Sequence, residues 1–121
     1  MKLYRYIISD GRNIGILVYL DQVFDPNTDD GLDMIWKLCH PFEDFLKKPN
    51  IDGWPCSRFW FTEKGNRKFN KAIRKIRKEY SSMGIETQRL EMDIDSDSEE
   101  IVYRDEYQVA IRRYKRQYFI D

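Results

Sequence analysis

The clearest pattern in the sequence is a helical one between Thr62 or Asn66 and Met83. Apolar residues fall on one side of it at 100° per residue, namely Phe69, Ala72, Ile73, Ile76, Tyr80 and Met83. Cations fall on the other side, namely Arg67, Lys68, Lys71, Arg74, Lys75 and Lys78. Gly84 follows at the usual C-terminal position. We therefore expect Phe69, Ile73, Ile76 and Tyr80 to pack on a sheet while the cations stay exposed.

Strand patterns lie on both sides of this helix. Residues 2–9 and 14–20 are rich in β-forming side chains and flank Asp10-Gly11, a turn signal, which predicts a β-hairpin. In the last third, apolar residues alternate with period two, which predicts two further strands joined by the acidic loop 95–100. In the first of these strands, one face would carry Leu90, Met92 and Ile94. In the second, one face would carry Ile101, Tyr103, Tyr107, Val109 and Ile111.

The middle of the chain predicts a shorter helical region and a connection. Asp29 or Asp30 is the expected N-cap of a helix that Pro41 breaks or kinks, with Phe42, Phe45 and Leu46 as a short apolar continuation. We expect residues 49–57 to form an irregular connection, and residues 58–61 to form a short buried strand or an aromatic plug. The expected fold is a single α+β domain over residues 1–121. It has a small antiparallel sheet in the order ββ-α(α)-α-ββ and helices packed on one face.

Charge is balanced overall but segregated along the chain. The 21 Lys and Arg equal the 21 Asp and Glu, yet residues 20–36 carry five Asp and no cation, whereas residues 63–78 carry eight cations and one acid. Residues 86–106 return to nine acids and two cations. A zero sum therefore hides strong local fields, which decide the choice of partner.

Other features exclude some protein classes. An aromatic content of 15% argues against a disordered chain. The longest uncharged run, residues 13–20, is too short to span a bilayer, so we expect a cytoplasmic protein with no membrane role. Cys39 and Cys56 form neither a CxxC pair nor a disulfide framework, and are expected to be reduced, partly buried thiols.

The basic helix face is the strongest candidate binding surface. A row of cations on a rigid helix suits a nucleic-acid backbone or an acidic protein partner. The C-terminal segment adds further cations beside aromatic rings, namely Arg112, Arg113, Lys115 and Arg116. Two alternatives stay open: a solvated face neutralised by the chain's own acidic segments, and a homodimer in which the basic helix meets the acidic hairpin of a second copy.

A second candidate is Trp54, which stands on an irregular loop between Pro49 and Pro55 and would suit an exposed anchor for a protein partner. A small enzyme or nucleotide-binding domain with its pocket near residues 54–61 is the alternative from another class. The sequence offers no triad or phosphate loop, so we assign no catalytic residue and no cofactor.

Metal binding is not expected either. Asp93, Asp95, Asp97 and Glu99 alternate as in a calcium loop, but Ser98 and Arg104 stand where that loop needs Gly and Glu. Cys39, His40 and Cys56 lack a fourth zinc ligand, and adjacent helical residues point about 100° apart.

Overall fold

The computed structural model describes residues 1–43, 45–46 and 57–112. Within them the chain forms an antiparallel five-stranded sheet in the order β3-β1-β2-β5-β4, together with four helices. The expected α+β class is confirmed. The strands are β1 Lys2–Ile8, β2 Ser57–Thr62, β3 Thr87–Asp93, β4 Ile101–Arg104 and β5 Gln108–Arg112. The helices are α1 Leu20–Val23, α2 Asp29–Glu43, α3 Glu63–Lys68 and α4 Asn70–Ser82.

The sheet has a helix-covered face and an opposite face. Since side chains alternate along a strand, Tyr6 and Ile8 of β1 point toward α2 and α4, and Leu3 points away. Phe69, Ile73, Ile76 and Tyr80 are at most 3% exposed in the core beneath the helices, which confirms their predicted packing. A second buried cluster occupies the opposite face, formed by Leu3, Trp60, Val109 and Ile111.

The predicted N-terminal hairpin is only half right: its first strand is present as β1, but residues 14–20 do not form its second strand. Residues 16–19 form turns, and one isolated bridge joins Ile7 to Gly15. The Arg5 guanidinium donates to the carbonyl of Asn13 at 2.9 Å, and Asn13 itself adopts a left-handed φ of 56°. Beyond Asn13 the chain stays beside β1 only as far as Ile16, whose N–H donates to the Tyr6 carbonyl at 3.0 Å. The apolar residues that suggested a strand instead enter the helix-side core, as Ile16 and Leu20 show.

The C-terminal strands also differ from expectation. The single strand expected over residues 101–111 is the hairpin β4–β5, whose turn is held by Asp105: its Oδ1 accepts the N–H groups of Tyr107 at 2.8 Å and Gln108 at 2.9 Å. β3 and β4 lie at opposite edges of the sheet, so the acidic loop is a crossing connection and there is no acidic hairpin. Residues 58–61 do form a strand, inside β2.

The helix ends are set by local hydrogen bonds. Thr28, rather than Asp29 or Asp30, caps α2, because its Oγ1 accepts the Gly31 N–H at 3.0 Å. Pro41 lies inside α2, which continues to Glu43. The long predicted helix is divided at Phe69 into α3 and α4, and Gly84 ends it with a φ of 78°, as its position predicts.

Candidate functional site

The basic face is the exposed side of α3 and α4, and we use that name for Arg67, Lys68, Lys71, Arg74, Lys75 and Lys78. All six side chains are exposed, while Ile73 and Ile76 on the other side of α4 anchor the helix in the core. Residues three and four apart on a helix are neighbours, so the four cations of α4 form a continuous strip, which follows Arg67 and Lys68 of α3 along the chain. From Lys71 to Lys78 the strip extends about 10 Å at the helical rise of about 1.5 Å per residue.

These cations are not neutralised within the described chain. No salt bridge joins any of the six to an acidic residue of segments 1–43, 45–46 and 57–112. By contrast, Lys64 on α3 lies 2.6 Å from the Glu106 carboxylate. That hydrogen bond raises the pKa of Lys64 and lowers the pKa of Glu106. The difference between the basic face and its exposed neighbour Lys64 is therefore that Lys64 has an acidic partner in the described segments and the six cations have none.

A shallow groove borders one side of the basic face. Its apolar surface comes from Pro41 in the last turn of α2, Phe45 just after that helix, and Phe69 and Ala72. Three lysines of the basic face line it as well, namely Lys68, Lys71 and Lys75. The Lys68 ammonium lies 3.9 Å from the centre of the Phe45 ring, a cation–π contact. Phe45 remains 37% exposed, so the groove offers an aromatic ring beside cations that form no salt bridge within the described segments.

The sequence predicted neither this groove nor the role of Arg77. Phe45 was recognisable only as part of a short apolar stretch, and nothing local places it beside Lys68. Arg77 was counted among the cations but not assigned a role. Its Nε donates to Thr87 Oγ1 at 2.8 Å and its guanidinium lies 5.4 Å from the Tyr6 ring centre, so it ties α4 to β3 and β1.

The other predicted site residues are not gathered at this surface. Arg112 is exposed at the end of β5, on the sheet rather than the helix layer, and its N–H donates to the Glu100 carbonyl at 2.7 Å. Arg113, Lys115, Arg116 and Trp54 lie outside the described residues. The candidate surface is therefore the helical basic face alone.

The acidic segments are exposed as well. Asp21, Asp25, Asp29, Asp30 and Asp33 lie on α1, on the following turn and on the first turns of α2, where Asp33 pairs with Lys37 at 3.0 Å. The carboxylates of Asp93, Asp95, Asp97 and Glu99 also face solvent. In the part of the chain that the structure describes, no three His, Cys, Asp or Glu side chains are grouped as metal ligands.

The Cys39 and His40 side chains take different positions on α2. Cys39 is half-buried against the core, as expected of a buried thiol. His40 is exposed, stacks on the Trp36 ring with 4.5 Å between ring centres, and places Nδ1 3.7 Å from the Glu43 carboxylate. Cys56, the other predicted thiol, lies outside the described residues.

Comparisons with known proteins give no relative. No family model, no curated protein and no solved structure matches this chain. Among the helices described above, none is long and apolar enough to cross a membrane.

Proposed function

We propose that this protein is a small intracellular binding module whose basic face holds a nucleic-acid backbone without reading its sequence. The observation that supports this most directly is the group of six exposed cations that lack acidic partners in the described chain. Uncompensated cations on a rigid element attract polyanions, since binding releases the counterions condensed on the phosphates.

The dimensions of α4 suit this role. Duplex DNA presents a phosphate about every 3.4 Å along each strand, so the roughly 10 Å from Lys71 to Lys78 spans about three base steps. The side chains are flexible lysines and arginines on one face, and α4 packs on the sheet by its apolar side. Phosphate contacts position a protein on nucleic acid but carry no sequence information, so the proposal predicts binding that is indifferent to sequence.

The test is fluorescence anisotropy with labelled DNA and RNA at low salt. Replacing Lys71, Arg74, Lys75 and Lys78 by Gln should weaken binding by more than about tenfold, because phosphate neutralisation supplies the affinity. The matched control replaces Lys71, Lys75 and Lys78 by Arg, which keeps every charge and should keep the affinity. Equal binding by the Gln variant and the wild type would show that another surface holds the nucleic acid.

A second candidate is a protein partner, and the groove beside Phe45 supports it. An apolar surface bordered by Lys68, Lys71 and Lys75 suits a segment that combines acidic residues with one apolar anchor. Phe45→Ala distinguishes the two candidates. It should leave binding to duplex DNA unchanged, whereas it should weaken a protein partner that inserts a side chain into the groove.

The remaining alternatives have less support. A dimer between the basic helix and an acidic hairpin lacks its second element, because residues 94–100 connect opposite edges of the sheet. A catalytic or nucleotide pocket near residues 54–61 falls partly outside the described residues, and residues 57–61 lie in β2.

A further inference from the structure

The two edges of the sheet differ in how well they are protected against pairing with another chain. β4 is only four residues long, and its ladder with β5 is irregular between Ile101 and Tyr103. β3 is seven residues long and pairs with β1 without interruption from Lys2↔Asp93 to Ile8↔Thr87. Short strands and bulges are the usual protection of an edge, so β4 is protected and β3 lacks both devices.

The outer side of β3 presents a row of unpaired backbone groups. In the flanking positions, the Ser9 N–H donates to the Glu86 carbonyl at 2.9 Å and the Ile94 N–H donates to the Met1 carbonyl at 3.0 Å. Even-numbered residues of this strand therefore bond to β1, and alternation turns the N–H and C=O groups of residues 87, 89, 91 and 93 outward. Within the described chain no strand pairs with that side.

The side chains at these outward positions are complementary to a second copy of themselves. We propose that two copies of this chain pair through β3, antiparallel and about a two-fold axis at Leu90. In that register Arg89 lies opposite Glu91 of the second copy, and Thr87 opposite its Asp93. By symmetry each pairing occurs twice, and the two five-stranded sheets become one continuous sheet.

Charge selects this register over its neighbours. Moving the axis by one residue toward the N-terminus places Arg89 opposite Arg89, and moving it toward the C-terminus places Glu91 opposite Glu91. Like charges directly opposite each other on paired strands are unfavourable. Within one copy, Arg89 and Glu91 already form a salt bridge along the strand, so both side chains lie on the same face. In the dimer the four side chains would form a square in which every charge has neighbours of the opposite sign.

The opposite face of β3 adds apolar contact. Leu90 and Met92 are half-buried and pack against the cluster of Leu3, Trp60, Val109 and Ile111. Leu90 is bonded to β1 and not to the outside, so the two copies of Leu90 would form a pair without hydrogen bonds, the kind with the shorter separation between side chains. Dimerisation would thus cover a leucine that the monomer leaves partly exposed.

The dimer does not depend on nucleic-acid binding, and sedimentation without nucleic acid tests it alone. The wild type should show a monomer–dimer equilibrium. Arg89→Glu should weaken the dimer on the order of tenfold, because two facing pairs change from attraction to repulsion. The double variant Arg89→Glu, Glu91→Arg exchanges the charges and should restore the wild-type dissociation constant.

A proline variant tests the backbone contribution. Glu91→Pro removes an outward N–H, which an edge strand tolerates, and should yield a folded monomer. A wild type that stays monomeric at about 100 μM would overturn the proposal. So would a dimer that Arg89→Glu leaves unchanged, or one that the Gln variant of the basic face abolishes instead. A folded double variant that fails to restore the dimer would overturn it as well.

Discussion

The hydroxyl of Tyr80 offers the sharpest test of how α4 is held. Tyr80 is fully buried, and its Oη donates to the carbonyl of Ile16 at 2.6 Å, which joins the last turns of α4 to the segment after β1. Ile16 is itself only 3% exposed. Tyr80→Phe keeps the ring and its edge-on contact with Tyr19 but leaves that carbonyl without its donor. A buried polar group left unpaired costs about 1–3 kcal/mol, so we expect that loss in the free energy of unfolding.

The assay is urea denaturation followed by circular dichroism, with thermal melting beside it. For a domain of this size, 1 kcal/mol corresponds to a melting shift on the order of 4 °C. The matched control is Tyr103→Phe, whose hydroxyl donates to Asp105 Oδ2 at 2.7 Å near the surface and should cost less, about 0.5–1 kcal/mol. If Tyr80→Phe costs no more than Tyr103→Phe, the Ile16 carbonyl has another donor and the reasoning is wrong.

Three further predictions concern the core and the β4–β5 turn. Ile76→Ala should cost about 2–5 kcal/mol in urea denaturation, since Ile76 is fully buried; a cost below 1 kcal/mol would contradict its position. Gly65→Ala should destabilise by about 1–3 kcal/mol, because a Cβ there would lie 2.1 Å from the Tyr107 carbonyl oxygen, whereas Gly15→Ala, with its nearest atoms at 3.8 Å, is the control. Partial burial raises the pKa of Asp105, but hydrogen bonds from Tyr103, Tyr107 and Gln108 outweigh it and hold the pKa of this carboxyl below its ordinary value. The Asp105 carboxyl therefore binds a proton more readily in the unfolded chain than in the folded one. Its hydrogen bonds contribute their full stabilisation above the ordinary carboxyl pKa, and this contribution is lost as pH falls through the lower pKa of the folded state. Asp105→Ala should remove about 1 kcal/mol at pH 7 and progressively less in acid, and a constant difference at all pH values would contradict the assignment.

The elements that the sequence predicted well are those whose signal is local. The 3.6-residue periodicity from Phe69 to Met83 places α4 and its buried face, and Gly84 marks its end. The alternation of Leu90 and Met92 likewise places β3. In each case the pattern lies within one element and indicates which side chains face an apolar cluster.

What the sequence could not predict depends on distant contacts. The apolar residues of segment 14–20 suit a strand or a turn packed under helices equally well, and the Arg5–Asn13 hydrogen bonds decide between them. The groove needs Phe45 to meet Lys68, which lies 23 positions later in the printed sequence. Whether acidic segments cover the basic face is likewise a tertiary question, because their charge alone fits both arrangements.

The salt dependence of binding tests the central claim most directly. Anisotropy titrations with duplex DNA between about 50 and 200 mM salt should give a straight line of log affinity against log salt. Replacing Lys71, Arg74, Lys75 and Lys78 by Gln should reduce its slope by up to about 3.6, at about 0.9 per phosphate contact. The matched control replaces four exposed cations outside α3 and α4 by Gln and should leave the slope unchanged. These are Lys2, Arg12, Lys37 and Arg104. Equal slopes for the two variants, or no binding at the lowest salt, would contradict a basic face that binds nucleic acid.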